Sequence, residues 1–499
     1  MNLMMLLEMA ASGYGDRVAV QNGDDRITYP ELFEAAGVVA AGLKARGAER
    51  LGVLDISSLA LPVALFGSAW AGTPFVPLNY RLTGDELGAL LERITPAGLV
   101  AGPDYVDGVP GVAGIDTQVR GDFLTDARSG GEKAGEWSMD GEDIAVLLFT
   151  SGTTGAPKAA VLRQRHLVSY ILTSVEFGGS EETDAALVCV PPYHVAGIAA
   201  MLSSVYSGRR IVQLSNFSAE AWIELARSEN ITNAFVVPTM LARIVDALEG
   251  EGRANMPNLR ALSYGGGKMP LQVIEKAMQL FPDTGFTNAY GLTETSSTIT
   301  VLTPDDHRAV SASDDADVRR RLISVGKPLP GVELAILDEE GAPVAVGESG
   351  EIHVRGEQVS GEYLGRASSL TPEGWFPTRD GGSLDAEGYL FVTGRTDDVI
   401  VRGGENLSPG EIEDVLLDHE AVADVAVVGI PSVQWGEAVA AAIVVRKEVP
   451  IEELQAWVKD QLRSSRVPEK VEFWDELPYN ETGKLLRRKV REALGEAAS

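Results

Sequence analysis

The sequence predicts an α/β protein. It should have a large N-terminal domain of doubly wound sheets joined to a β-barrel-like subdomain, followed by a small, mobile α+β C-terminal domain. Three observations carry this. The chain has 499 residues, and a single core stops growing at about 250 to 300, so more than one folding unit is expected. Up to about residue 300, helical and strand-like stretches alternate, as they do where helices cover parallel sheets. From Gly326 the texture changes to short strands punctuated by Gly and Pro, which reads as antiparallel structure.

The elements follow in chain order. The opening M-N-L-M-M-L-L-E-M-A predicts a short amphipathic helix. It has no basic leader, contains Glu8, and falls short of the ~20 residues that span a bilayer, so a cytosolic protein without stable membrane insertion is expected. A helix over Tyr29–Arg46 is opened by Thr28, followed by the apolar stretch 51–56 and a helix over Ala60–Ala71. The apolar run 144–149 precedes a Gly- and hydroxyl-rich loop. Strands at 211–214, 234–237 and 259–264 alternate with helices at 219–229 and Leu271–Leu280. V-E-L-A-I-L-D, G-E-I-H-V-R-G and G-Y-L-F-V-T-G are the short strands of the second texture. After Gly394, a helix at 408–419, strands around 425–429 and 438–445, and a helix at 451–464 have an apolar periodicity of their own, enough for a separate domain. The linker is G-R-T-D-D at 394–398, which gives domains at 1–395 and 398–499 with a hinge at 396–397.

Forty-two basic against 72 acidic residues give a net charge of −30. Such a chain repels nucleic acid and anionic membranes as a whole. If it binds phosphates it must concentrate donors locally, which singles out Lys158, Lys268 and Lys484, all in Gly-containing stretches. Cys189, the one cysteine, lies in the apolar L-V-C-V, forms no internal disulfide, and reads as core. His166, His307, His353 and His419 show no metal-ligand spacing.

Residues 150–158 read T-S-G-T-T-G-A-P-K. On local composition this is equally a surface turn or a phosphate-holding loop, dense in backbone N–H and hydroxyl donors. It is not a Walker A motif, which needs G-K-[ST] in succession. With the preceding L-F it closely resembles the phosphate loop of the adenylate-forming superfamily of acyl-CoA synthetases, peptide-synthetase adenylation domains and luciferases. The other motifs of that superfamily have counterparts in the expected order: P-P-Y-H-V-A-G at 191–197, Y-G-G-G-K-M-P at 264–270 and N-A-Y-G-L-T-E-T at 288–295, then G-W-F-P-T-R-D, G-R-T-D-D-V-I-V-R-G-G-E-N-L-S-P and N-E-T-G-K-L-L-R-R. The resemblance spans nearly the whole chain.

The resemblance implies a role for each matching residue. Thr150, Ser151, Gly152, Thr153, Thr154 and Lys158 hold the ATP phosphates, and Gly265, Gly266 and Gly267 form a wall of the nucleotide site. Asn288, Tyr290 and Gly291 belong to the adenine segment, where the Tyr290 ring offers a stacking face. Thr293 bonds the α-phosphate, and Glu294, a hard oxygen ligand, holds Mg²⁺. Asp380 and Arg395 hold the ribose hydroxyls. His194 stands at the mouth of an acyl pocket. Lys484 is the catalytic lysine between substrate carboxylate and α-phosphate, and Asp397 is the hinge of a domain rotation. Taken alone, Tyr290 and His194 read as core residues, and Glu294, Asp380, Arg395 and Lys484 as surface charges. The chain departs from the superfamily at Arg379, where Gly is usual in T-G-D, which restricts the backbone beside Asp380. It also has Ala159 where Gly is frequent.

The implied activity is that of an AMP-forming acid–thiol ligase, which uses ATP and Mg²⁺ to activate a small-molecule carboxylic acid and passes the acyl group to coenzyme A. Two other readings stand beside it: loading of the phosphopantetheine arm of a separate carrier protein, and non-catalytic nucleotide binding. Ala196, Gly197, Ala199 and Ala200 leave room beside His194 for a ring or a medium chain. The identity of the acid and the oligomeric state are not encoded in any motif.

Overall fold

A computed structural model describes residues 1–150, 157–480 and 483–496. Its first sheet has six strands in the order Ile115–Val119, Ala97–Ala101, Leu51–Leu54, Phe75–Pro77, Ile144–Thr150, Lys158–Arg163. All neighbours are parallel except the last pair, which runs antiparallel. The strand expected over 51–56 stops at Leu54 because Asp55 turns the chain. The Asp55 carboxylate accepts the Ile56 N–H at 2.9 Å and the Ser58 hydroxyl at 2.9 Å, and it pairs with Arg120 at 3.0 Å. The helix Tyr29–Arg46 begins where Thr28 and Glu31 satisfy each other's backbone N–H groups, at 3.3 and 2.8 Å.

The second sheet has nine strands. Strands Ala185–Val188, Asn233–Val236, Ala261–Gly265 and Gly285–Leu292 run parallel within it, with Ala186, Asn233, Ala261 and Gly285 in one row. The carboxyl ends of these strands therefore open on one edge, where ligands bind in such sheets. Strands Glu333–Leu337, Gly350–Arg355, Phe376–Leu384 and Leu390–Arg395 form an antiparallel sheet. The barrel-like texture of the sequence thus takes the form of an open meander. Residues beyond Thr396 build a five-stranded sheet around the hairpin of Val422–Ser432 and Gly436–Val445, with helices Pro409–Leu417, Ile451–Gln461 and Arg487–Glu496.

Leu3, Met4, Leu6 and Leu7 of the first helix are buried in the same cluster as Tyr29 and Phe66. Each large apolar side chain hidden this way contributes about 1.5 to 3 kcal/mol. The amphipathic start of the chain is thus part of the core, and no helix among the described residues is long and apolar enough to cross a membrane. Cys189 is buried against the Phe235 carbonyl and the Met240 sulfur, and burial pushes its thiol up to about 12. That agrees with a packing role.

Candidate active site

Thr150 and Lys158 face each other across the last two strands of the first sheet, with the Thr150 hydroxyl donating to the Lys158 carbonyl at 3.4 Å. The two ends of the phosphate-loop motif are therefore held side by side. Ser151, Gly152, Thr153 and Thr154 lie outside the described residues. The Lys158 ammonium sits 5.4 Å from the centre of the Tyr363 ring, and the Tyr363 hydroxyl donates to Glu294 Oε1 at 2.5 Å. Backbone pairing sets this arrangement. The Ser360 N–H donates to the Glu294 carbonyl at 2.8 Å, and the Leu364 N–H to that of Ala159 at 2.9 Å. Burial, followed by the Glu294 charge, raises the Tyr363 pKa, so its hydroxyl stays a donor.

Glu294 and Thr293 lie in a single 3₁₀ turn after strand Gly285–Leu292. Upstream, the Tyr290 hydroxyl donates to Asp380 Oδ2 at 2.6 Å, while Arg395 Nη1 donates to Asp380 Oδ1 at 3.0 Å. Asp380 and Arg395 are direct partners across two strands of the meander. Burial, then Asp380, keeps the Tyr290 phenol protonated. Burial opposes the Arg395 charge, but Asp380 outweighs it and the net pKa is raised. Arg395 Nε is buried without a hydrogen-bond partner, which leaves a donor for an added hydroxyl. The Asn288 amide donates to the Ser324 carbonyl at 3.0 Å, which ties its strand to the neighbouring loop.

Gly265 ends its strand so close to the next that a Cβ would lie 2.1 Å from the Ala289 carbonyl oxygen, so only glycine fits the wall there. The wall of Gly265, Gly266 and Gly267 meets the C-terminal part of the chain. A Cβ on Gly483 would fall 2.6 Å from Thr239 Oγ1, and one on Gly267 would fall 3.7 Å from the Gly483 carbonyl oxygen. The turn bearing Lys484 thus rests on the nucleotide-site wall. It is closed by Asn480, whose Oδ1 accepts the Lys484 N–H at 2.8 Å. Lys268 pairs with Asp414 on helix Pro409–Leu417, a second tie between the two parts of the chain.

Asp397 lies in the 3₁₀ turn Thr396–Asp398, and its carboxylate is 3.8 Å from the Arg379 guanidinium. Arg379 takes the left-handed φ of 60° that its usual counterpart, glycine, adopts freely, so the restriction expected from the sequence does not displace the backbone. Its N–H donates to Glu351 at 2.9 Å, its carbonyl accepts the Thr396 hydroxyl at 3.2 Å, and Asp380 keeps both partners. Asp398 is paired with Arg487 at 3.5 Å.

His194 precedes helix Val195–Ser207. Burial lowers its pKa to about 4 and leaves Nε2 without a partner. Ala196, Ala199 and Ala200 on that helix line a cavity of about 520 Å³ along the second sheet, a size typical of small-molecule sites. Tyr363 and Arg487 were missed in the sequence, since their partners Glu294 and Asp398 stand 69 and 89 residues away and only the tertiary fold brings them together.

A glycine-lined strand end, a carboxylate–guanidinium pair with a spare donor, the carboxylate of Glu294 and a lysine turn from the C-terminal part are the arrangement expected of the adenylate-forming class. The family models agree: the AMP-binding enzyme model matches residues 7–364, and the model of the AMP-binding enzyme C-terminal domain matches residues 411–484. The chain belongs to this family, within the acyl-CoA synthetase-like adenylate-forming superfamily. It is 31% identical over 489 residues to a 2-succinylbenzoate–CoA ligase of Bacillus cereus (strain Q1) and 32% identical over 490 residues to a feruloyl-CoA synthase of Amycolatopsis sp, with 96% of each chain covered in both cases. The o-succinylbenzoate CoA synthetase of Bacillus subtilis, solved with its acyl-adenylate intermediate, superposes with a TM-score of 0.82 at 30% identity, covering 97% of each chain. The same enzyme has been solved with ATP and a magnesium ion, at a TM-score of 0.81 and 29% identity, covering 97% of this chain and 98% of that one.

Proposed function

We propose that the protein is an AMP-forming acid–thiol ligase that makes an acyl-adenylate from ATP and a carboxylic acid and passes the acyl group to coenzyme A. The observation that carries this is the packing of the turn that bears Lys484 on Thr239 and Gly267, which sets a lysine of the C-terminal part against the Gly265–Gly267 segment. In the first step a carboxylate oxygen bonds to the α-phosphorus and pyrophosphate leaves. The nucleophile is already anionic, so no general base is needed. Lys484 orients the two anions and stabilises the charge that develops, while Lys158 and the loop after Thr150 hold the departing phosphates. In the second step the thiol sulfur attacks the acyl carbonyl and AMP leaves.

Asp380 accepts and Arg395 donates to the ribose hydroxyls, and the Tyr290 ring packs on the base. Among the described residues no three His, Cys, Asp or Glu side chains cluster as a metal cage. Glu294, a hard oxygen donor held by the Tyr363 hydroxyl, is the residue that would hold Mg²⁺. Bound there, the ion would screen charge on the phosphates. Residues 396–397 form the hinge between parts 1–395 and 398–499, because Lys484 must leave before a thiol reaches the same carbonyl.

The test is acid-dependent release of pyrophosphate, with the product identified by mass after adding coenzyme A. Acyl-CoA and AMP in equal amounts are expected. Pyrophosphate exchange without thioester would favour a carrier protein as acceptor, and ATP binding without exchange would overturn the enzymatic reading.

A further inference from the structure

The cavity of about 520 Å³ has two unlike ends. Near the active site it is bordered by Ala289, which is paired with Gly265 at the carboxyl end of its strand. Its far end reaches the row of Ala186, Asn233 and Ala261, where the same strands begin. Four residues of strand separate Ala261 from Gly265, which is roughly 13 Å. Arg209 lines the cavity at that far end, next to Arg210, which is paired with Ala185.

Arg209 is anomalous there. Its Nε is buried and has no hydrogen-bond partner, and burial lowers its pKa, although a guanidinium remains charged at neutral pH. Of the charges that act on it, Asp184 is already paired with Arg260, whose own positive charge adds to the strain. Glu176 also lines the cavity, but it is exposed at the rim. The Ser203, Ser204 and Ser207 side of helix Val195–Ser207 gives this end a polar lining, unlike Ala196, Ala199 and Ala200 nearer the reaction centre. Arg209 is half-buried with an Nε donor left unused, and a carboxylate is the ligand that a guanidinium fork fits best. In a protein of net charge −30, an anionic tail would enter this cavity only against such a cation.

We propose that the acid activated here is a dicarboxylic acid: one carboxylate reacts with ATP, and the second is received by Arg209 at the far end of the cavity. Arg209 is then a specificity-determining residue, remote from the reacting atoms. This rests on the ligase reading given above.

The test uses matched pairs of straight-chain and aromatic acids, each dicarboxylate set against the acid in which the distal carboxylate is a carboxamide or a methyl group. Acid-dependent ATP–pyrophosphate exchange gives kcat/KM for each. The wild type should favour the dicarboxylate by about tenfold or more, since a site built to pair a polar group rejects the analogue that lacks it. In Arg209→Met that ratio should fall to near one, and Arg209→Lys should keep part of it. Thermal stabilisation by ATP reports whether the variants are folded, and the wild-type ratio decides even if they are not. A wild-type ratio of one or below overturns the proposal and leaves the ligase reading intact, as does an equal loss for both members of each pair in a folded Arg209→Met. Failure of every acid to support exchange, with ATP still bound, overturns both.

Discussion

The ribose-facing and the lysine-facing sides of the candidate site are built by opposite rules. On the first, Tyr290, Asp380 and Arg395 are buried or half-buried, bonded to one another at 2.6 and 3.0 Å, and fixed by the pairing of Asp380 with Arg395 across a sheet. On the second, Lys484 is exposed, sits in a turn closed by Asn480, and reaches the site through the packing of Gly483 on Thr239. On the proposed mechanism this is a division of labour: groups needed throughout the reaction are preorganised, and the group needed for one step is brought by a part that can withdraw.

If that division holds, the largest effect comes from the withdrawable side. Lys484→Ala should slow adenylate formation by about 10²- to 10³-fold, yet leave thioester formation from a supplied acyl-adenylate nearly unchanged. Pyrophosphate release and single-turnover thioester formation measure the two steps, and equal loss in both would place Lys484 in shared binding. Next is the hinge. Asp397 lies in the 3₁₀ turn Thr396–Asp398, a conformation whose usual φ of about −50 to −70° is the one proline favours. Asp397→Pro should therefore hold the present arrangement, keep adenylation, and slow thioester formation by about tenfold or more. Wild-type turnover of acid, ATP and coenzyme A by this variant would move the hinge elsewhere.

A smaller effect tests the preorganised side. Tyr363→Phe keeps the ring beside Lys158 and removes only the hydroxyl that holds Glu294. The Mg²⁺ concentration for half-maximal pyrophosphate release should rise about tenfold, the scale of one hydrogen bond to a charged group. An unchanged Mg²⁺ dependence would detach Glu294 from the metal. The smallest effect is expected of Arg379→Gly, which relieves a left-handed backbone at the cost of an exposed contact of 3.8 Å to Asp397. Strain relief is worth about 1 to 2 kcal/mol and loss of the exposed contact up to about 1 kcal/mol in the opposite direction, so urea unfolding should shift little and the KM for ATP should hold or fall. A marked rise in that KM would give Arg379 a nucleotide contact of its own.

What the sequence disclosed was local. Thr28 announced the helix Tyr29–Arg46, and the loop motifs singled out Lys158, Glu294 and Lys484 because each motif is a few consecutive residues. What it withheld is contact between segments far apart in the chain. Tyr290 meets Asp380 across 90 positions and Tyr363 meets Glu294 across 69, and no spacing within either segment signals these partners. Arg209 was invisible for the same reason: the doublet R-R reads as surface charge until the strand beside it shows that its first member lines a cavity. The open meander was misjudged in closure only, since Gly and Pro punctuation reports strand length and says nothing of whether the outer edges meet.

The Arg379 backbone carries a further consequence. It lies one residue before Asp380, accepts the Thr396 hydroxyl at 3.2 Å, and faces Asp397, so the ribose clamp and the pivot share a few consecutive residues on two adjacent strands. Sites joined this closely trade free energy in both directions. If the nucleotide prefers one domain orientation, that orientation returns to the nucleotide as affinity by the same factor.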